Sequence, residues 1–339
     1  MYTTAKMIFQ SEDEFVQWLR GLASAKSPQV RMGIGDDAAL VRVRKGRDLI
    51  LTVDLSIEGV HFTPGLHPAR SIGYRALARS LSDVAAMGGV PRFALVSVAF
   101  PRSVSRAWIG EFYGGVLDLA ARFHVELIGG DTSVVRRTAM VDVVLAGEII
   151  RGRGLLRSGA RPGDVIFVSG SLGQSARGLE ILRRQARHPK QGRRSKQENS
   201  ETANAVKSHL YPEPRCELGH WLQQAGIPSA MMDISDGLST DLVRLCEASR
   251  TGAKVDAWRI PRVEAISPKH SLELALNGGE DYELLFTVPK SRIAKVPRSH
   301  SGVSLQPIGT ISRPREVLLV HENGRCSTLT PAGYDHFSR

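Results

Sequence analysis

The sequence predicts an α/β chain folded as two domains, and three observations lead there. Its 339 residues exceed the length of one typical domain. Short apolar, strand-like runs alternate with segments whose apolar residues recur at helical spacing, the pattern of α/β layers. Arg161-Pro162-Gly163-Asp164 then punctuates the chain, just before a new strand-like run begins at Val165. The boundary falls between Arg151 and Pro162, giving domains of 1–155 and 156–339.

The elements follow in order. Ser11-Glu12-Asp13-Glu14 matches an S-x-x-E capping box, with Phe15, Trp18, Leu19 and Leu22 after it at helical spacing. Leu49 to Val53 reads as a short strand ending at Asp54. Ile72 to Met87 reads as a helix, Phe93 to Phe100 as a strand closed by Pro101, and Trp108 to Phe123 as a second long helix. Val125 to Ile128 is a strand running into Gly129-Gly130-Asp131, and Met140 to Ile150 a partly alternating one. In the second half, Val165 to Ser169 is a strand, with helices after Gly173 and from Glu213 to Ala225. Met231-Met232-Asp233 leads into a helix through Leu238, Leu242, Leu245 and Cys246, and Tyr282 to Val288 and Val317 to Val320 are strands.

Hydrophobic residues at 42% and charged residues at 23% are an ordinary soluble balance. No apolar run approaches the ~20 residues that cross a membrane, so no membrane partner is expected. Charged residues interrupt Met1 to Arg20, which therefore lacks the apolar core of a signal peptide. Cys216, Cys246 and Cys326 are odd in number and in no metal-ligand spacing, which points to a reducing compartment, the cytoplasm. The net charge of +11 raises a nucleic-acid reading, but eight basic residues against Glu198 and Glu201 between Arg183 and Lys207 supply +6 of it. That stretch is polar and lacks aromatics for base stacking, so it reads as a flexible, solvated insertion at 183–207, and no nucleic-acid partner is expected.

Seven aspartates at the ends of apolar runs carry the chemistry: Asp36, Asp37, Asp54, Asp83, Asp131, Asp233 and Asp236. Most stand beside Gly or Ser, and their short motifs contain no Lys or Arg. Such carboxylates look like hard oxygen ligands for Mg²⁺. The Walker pattern and the protein-kinase motif set are both absent, and acids directly follow Gly33-Ile34-Gly35. A cluster of metal ions in place of basic phosphate clamps fits phosphoryl transfer. An Asp after a strand is also a common helix cap or turn former, so each acid alone has a plain structural reading. Asp36 and Asp37 are neighbours that would point to opposite faces of a strand, so one of the two is expected to bind metal directly. Asp233 and Asp236 would share a face if their segment were helical. His61 could donate to a substrate phosphate, Arg157 clamp one, and Glu280 accept from a cationic or amino-bearing substrate; each has a surface or capping alternative.

These motifs, in this order, resemble the thiamine-monophosphate kinases, a family of the ATP-binding superfamily that also includes aminoimidazole ribonucleotide synthetase. The matching stretches include Gly33 to Ala39, Asp54 with Gly59-Val60-His61-Phe62, Leu81 to Gly88 and Leu127 to Thr132. They continue with Arg157 to Asp164, Asp233 to Leu238, Gly278 to Leu284 and Gly333 to Phe337. The resemblance implies an N-terminal α/β domain that binds ATP and Mg²⁺ and dimerises through its sheet, and a C-terminal α/β domain. It implies phosphorylation of thiamine monophosphate by ATP with several Mg²⁺ per site, in a homodimer. Carried over by position, Asp37, Asp54, Asp83, Asp131, Asp233 and Asp236 would be metal ligands, with Thr52 an additional one. Tyr113, Gly130, Arg157 and Ser235 would contact ATP, and His61, Glu280 and Tyr334 would hold thiamine monophosphate.

The implied nucleophile is a phosphate oxygen, already anionic, so direct in-line attack would need no general base, and no His–carboxylate pair stands out in the sequence. Two departures from the family pattern bear on the site. Val53 stands where relatives commonly carry Thr, which would remove one oxygen ligand, and Ser80 replaces a frequent Asn. Within the superfamily, selenophosphate synthetase would need an early reactive Cys, and the first here is Cys216. A non-catalytic nucleotide-binding regulator is the reading from a different class, and the retained set of aspartates speaks against it.

Overall fold

A computed structural model of the chain describes residues 12–23, 26–34, 38–188, 196–264 and 267–334. Ser11 of the capping box and both Asp36 and Asp37 lie outside the described residues. The chain divides into two compact units, Met1–Val84 with Gly89–Gly152, and Ala85–Gly88 with Arg153–Arg339.

The first unit opens with α1 (Glu12–Leu22), β1 (Val30–Met32), β2 (Leu40–Val41) and β3 (Arg47–Ile57). It continues through α2 (Ala69–Ala86), β4 (Val90–Pro101), α3 (Arg106–Arg122), β5 (Glu126–Gly129), β6 (Thr132–Val135) and β7 (Met140–Ile150). Its main sheet runs β3-β7-β4-β5, with β6 also on β4. The β3–β7 and β7–β4 pairs are antiparallel, and β5 and β6 run parallel to β4. Strand alternation sorts side chains onto two faces. Val141, Val143 and Leu145 of β7 and Ala94, Val96 and Val98 of β4 are buried on one face. In register with that face, edge strand β3 contributes Thr52, Asp54 and Ser56. The sheet's polar residues there thus gather at its edge. Two glycines let α2 and α3 approach closely, since a Cβ on Gly73 would lie 2.0 Å from the Phe112 carbonyl oxygen, and one on Gly115 1.9 Å from that of Arg70. On the other face, Leu49, Leu51, Val53 and Leu55 are 44–65% exposed.

The second unit contains β8 (Val165–Ser169), α4 (Gln174–Arg187), α5 (Lys196–Leu210), α6 (Cys216–Gln224), β9 (Ala230–Ile234), α7 (Leu238–Ser249) and β10 (Gly252–Asp256). After these come α8 (Pro268–Asn277), β11 (Glu283–Val288), β12 (Ser299–His300), β13 (Val303–Ser312), β14 (Val317–Val320) and β15 (Cys326–Thr328). The sheet order is β15-β14-β10-β13-β8-β11-β9, with β12 on β13. Every residue of β9 and β11 is buried, including Asp233, Glu283 and Thr287, which fits strands that are apolar on both faces rather than alternating. Because β9 and β11 are antiparallel, the end of β9 and the start of β11 meet at one end of the sheet.

Where it is described, the basic stretch from Arg183 to Lys207 is helical rather than the expected flexible loop, while 189–195 lie outside the described residues. Its described part is the end of α4 and most of α5. Ala205 is buried, and a Cβ on Gly178 of α4 would fall 2.1 Å from the Ala205 carbonyl oxygen, so the two helices pack backbone to backbone. Long Arg side chains on the exposed side of α4 supply the polarity that made the stretch look solvated.

Candidate active site

The first unit assembles one acid patch across β3 and α2. Thr52 Oγ1 donates a hydrogen bond to Asp83 Oδ2, and Ser80 Oγ donates to Asp54 Oδ2 at 2.9 Å. Arg79 Nε stands 3.7 Å from Asp54 Oδ1. Residues 52 and 54 share a face by strand alternation, and Ser80 and Asp83 share one by helical spacing. Val53 lies on the opposite, exposed face, where a Thr side chain would point away from that of Asp54. Ser80, noted only as a replacement for Asn, is a direct partner of Asp54. His61, just after β3, accepts the Ile57 N–H at Nδ1 (3.0 Å), which leaves the neutral ring's proton on Nε2.

A cavity of about 1030 Å³ in the same unit brings together Gly130, Asp131 and Tyr113 with Gly33, Ile34, Ala38 and Ala39, the described residues flanking Asp36 and Asp37. Asp131 Oδ1 accepts the Thr132 N–H at 2.8 Å, a local turn that holds the carboxylate against its own backbone. Gly130 passes so close to β4 that a Cβ would sit 1.9 Å from the Val96 carbonyl oxygen, so packing alone already requires glycine there. Tyr113 is fully buried among Phe15, Trp18 and Phe112, its hydroxyl without a hydrogen-bond partner among the described residues and its ionisation pushed far upward by burial.

In the second unit three distant stretches meet at the β9–β11 end. The Glu280 N–H donates to the Ser235 carbonyl at 2.7 Å, the Tyr282 N–H to Ile234 at 2.9 Å, and the Tyr334 N–H to Asp236 at 3.2 Å. Asp233, Ser235, Asp236, Glu280 and Tyr334 are thereby gathered. The helical-face argument for Asp233 and Asp236 is corrected: Asp233 is buried within β9, and Asp236 lies in the turn before α7. Their proximity comes from a turn, which Asp241 builds. Its Oδ2 accepts the N–H groups of Ser235, Asp236 and Gly237 at 3.0, 3.0 and 3.2 Å. Burial pushes the Asp241 carboxyl up to about 6. Arg244 pairs with Asp236 and stands 3.1 Å from Asp241, a cation three residues beyond the latter that the short motifs did not show.

Asp281, expected at the mouth of the strand, instead turns inward. It accepts from Gly173 N (2.6 Å) and Ser175 N (3.1 Å) at the start of α4, and burial pushes it up to about 7 despite those bonds. The neighbouring Glu280 and Tyr282 adopt φ of +66° and +52°, a backbone conformation rare outside glycine. Glu283 is buried and gripped by Arg215 through two oxygens, at 2.8 and 2.5 Å. A His–carboxylate contact, unseen in the sequence, exists here: His209 Nδ1 lies 3.8 Å from Glu280 Oε2. Arg157 is exposed, and its carbonyl accepts from Ser249 Oγ at 3.0 Å.

Among the described residues, no three His, Cys, Asp or Glu side chains form a ready-made metal cage. Beside the carboxylates of Asp54 and Asp83 stand the hydroxyls of Ser80 and Thr52, which are hard oxygens, with the Arg79 guanidinium 3.7 Å from Asp54. Such oxygens suit Mg²⁺, which keeps several waters and takes one or two carboxylates alongside substrate phosphates.

Two family models match the chain: AIR synthase related protein, N-terminal domain, over residues 35–149, and AIR synthase related protein, C-terminal domain, over residues 161–321. Thiamine-monophosphate kinase of Escherichia coli (strain K12) is 38% identical over 315 residues, 91% of this chain and 93% of that protein. The Bacillus subtilis (strain 168) protein of the same name is 36% identical over 321 residues, 91% and 94% of the two chains. Thiamine-monophosphate kinase from Stenotrophomonas maltophilia K279a superposes with a TM-score of 0.80 at 30% identity, over 95% of this chain and 99% of that one. AaThiL complexed with AMPPCP and TMP superposes with a TM-score of 0.73 at 30% identity, over 96% and 97%.

Proposed function

We infer that this chain, which belongs to the thiamine-monophosphate kinases of the AIR synthase related family, transfers the γ-phosphate of ATP to thiamine monophosphate. The observation that carries the reading is the extent of the likeness: 38% identity to the Escherichia coli protein across nine-tenths of both chains. The ATP analogue and TMP named for the AaThiL complex support the same substrate pair.

Asp54 and Asp83, with Thr52 beside them, would hold Mg²⁺ in the first unit, together with Asp37 and Asp131. Asp233 and Asp236 would do so in the second. Bound Mg²⁺ supplies charge neutralisation on the polyphosphate and on the transferring group. The chain's own part is positioning. Tyr113, Gly130, Arg157 and Ser235 would hold ATP, and His61, Glu280 and Tyr334 thiamine monophosphate. An anionic phosphate oxygen attacks in line, so orientation of the two substrates supplies much of the rate without a general base. The exposed apolar face of β3, Leu49, Leu51, Val53 and Leu55, supports a homodimer closed through this sheet, and the chain would work in the cytoplasm.

The test is incubation of purified protein with ATP, Mg²⁺ and thiamine monophosphate, quantifying thiamine diphosphate and ADP together. Equal yields of both, lost without Mg²⁺, are expected; ADP without thiamine diphosphate would give the reaction a different acceptor. Sedimentation equilibrium of Val53→Lys tests the dimer, with a shift to monomer expected.

A further inference from the structure

We propose that His209, steadied by Ser175, is a positioning residue for Glu280, and through it a determinant of affinity for the amino-bearing, cationic part of the substrate. This deepens the function proposed above and rests on it.

His209 is buried on α5, where an imidazole is costly unless its nitrogens are engaged. Its Nδ1 is 2.9 Å from Ser175 Oγ and 3.8 Å from Glu280 Oε2. Ser175 is itself buried at the start of α4, and its N–H donates to Asp281, the residue after Glu280. One serine therefore ties the imidazole to the loop that bears the carboxylate.

Glu280 is fixed from several directions. Its N–H is spent on Ser235, its φ is held at +66°, and Asp281 anchors the next residue to α4. Strain of this kind persists where the surroundings over-determine a residue, and it clusters where ligands are gripped. The backbone being fixed, the remaining freedom is in the Glu280 side chain, which is 27% exposed beside a fully buried imidazole. The imidazole limits which rotamers the carboxylate can take. A carboxylate held in one orientation binds an amino group or a delocalised cation with less ordering cost than a free one.

The experiment uses the full-length protein. His209→Leu keeps apolar bulk, and His209→Asn keeps a nitrogen at the δ position. Steady-state kinetics would give KM for thiamine monophosphate and for ATP separately, and calorimetry the affinity for thiamine monophosphate without ATP. We expect His209→Leu to raise KM and Kd for thiamine monophosphate about tenfold, the upper end of the cost of ordering one freed side chain on binding, with KM for ATP within about twofold. His209→Asn should recover most of the loss. On a Glu280→Gln background, His209→Leu should add nothing further.

Equal losses for both substrates, or full additivity with Glu280→Gln, would overturn the proposal. Should His209→Leu fail to fold, Ser175→Ala with His209→Asn poses the same question at smaller amplitude. A wild-type protein that binds no thiamine monophosphate would sink the functional reading instead. The pairing would then be read from the His209 ring-nitrogen NMR signals, which Glu280→Gln must shift if the two groups interact.

Discussion

The two acid-rich regions of this molecule use the same residue type for different work. In the β3–α2 patch, Asp54 and Asp83 accept from the hydroxyls of Ser80 and Thr52, with Arg79 3.7 Å from Asp54. In the β9–α7 region, Asp241 and Asp281 accept backbone N–H groups, and Asp236 pairs with Arg244. A hydroxyl can rotate away and leave a carboxylate to a cation. A backbone amide cannot, so an aspartate bound to several amides shapes the loop. On the assignment proposed above, the first region would present ligands; in the second, some acids build the frame that would present others.

The sharpest way to break this comparison is Asp83→Ala. A presenting ligand should cost on the order of 10³-fold in kcat, as loss of one charge-stabilising group does, with the far-UV spectrum and melting temperature nearly unchanged. A large drop in melting temperature would put Asp83 among the frame-builders.

Asp241→Ala should do the reverse. It strands three backbone donors and leaves Arg244 with Asp236 alone, so urea denaturation should show a loss of about 3 kcal/mol, whereas Asp241→Asn, which keeps an acceptor, should lose about 1. Ser80→Ala tests the hydroxyls and should lower kcat/KM about tenfold at limiting Mg²⁺, the lower end for groups that orient metal ligands. Recovery at saturating Mg²⁺ is expected, because the carboxylates stay in place.

A further effect concerns pH. The Asp281 carboxyl sits near 7 in the folded protein against an ordinary value of 3.8. Folding therefore takes up a proton between these values, and stability falls as pH rises from about 4 to about 7. Melting curves of Asp281→Asn should fall less steeply over that window; parallel curves would show that the N–H bonds of α4 keep the group ionised.

Much of the first unit was legible. The runs around Ile72 to Met87, Phe93 to Phe100 and Trp108 to Phe123 carry strong periodicity, and each became the expected helix or strand, with ends shifted by a few residues. The motifs also located the loops that meet in the second unit. What escaped reading was partnership. Asp241 has no flanking Gly or Ser pair, and its role appears only when the Ser235–Gly237 turn folds back on it. His209 reaches Glu280 through the α4–α5 packing, and that packing was hidden by the polarity of the exposed side of the same helices. Strand β13 lacks a clean alternation because it carries Pro307 and a register shift near Gly309, so it gave no strand signal. The face of Val53 follows from strand alternation alone, and its exposure agrees.

The left-handed backbone at Glu280 sets a conflict between durability and work. A glycine would adopt φ of +66° without strain, so Glu280→Gly should leave the fold as stable or raise its melting temperature, since the strain of order 1 kcal/mol offsets the added chain entropy of glycine. Selection of variants for heat resistance alone would accept that change and discard the carboxylate. Selection for turnover would reject it, and the two pressures applied to one library should separate cleanly at this codon.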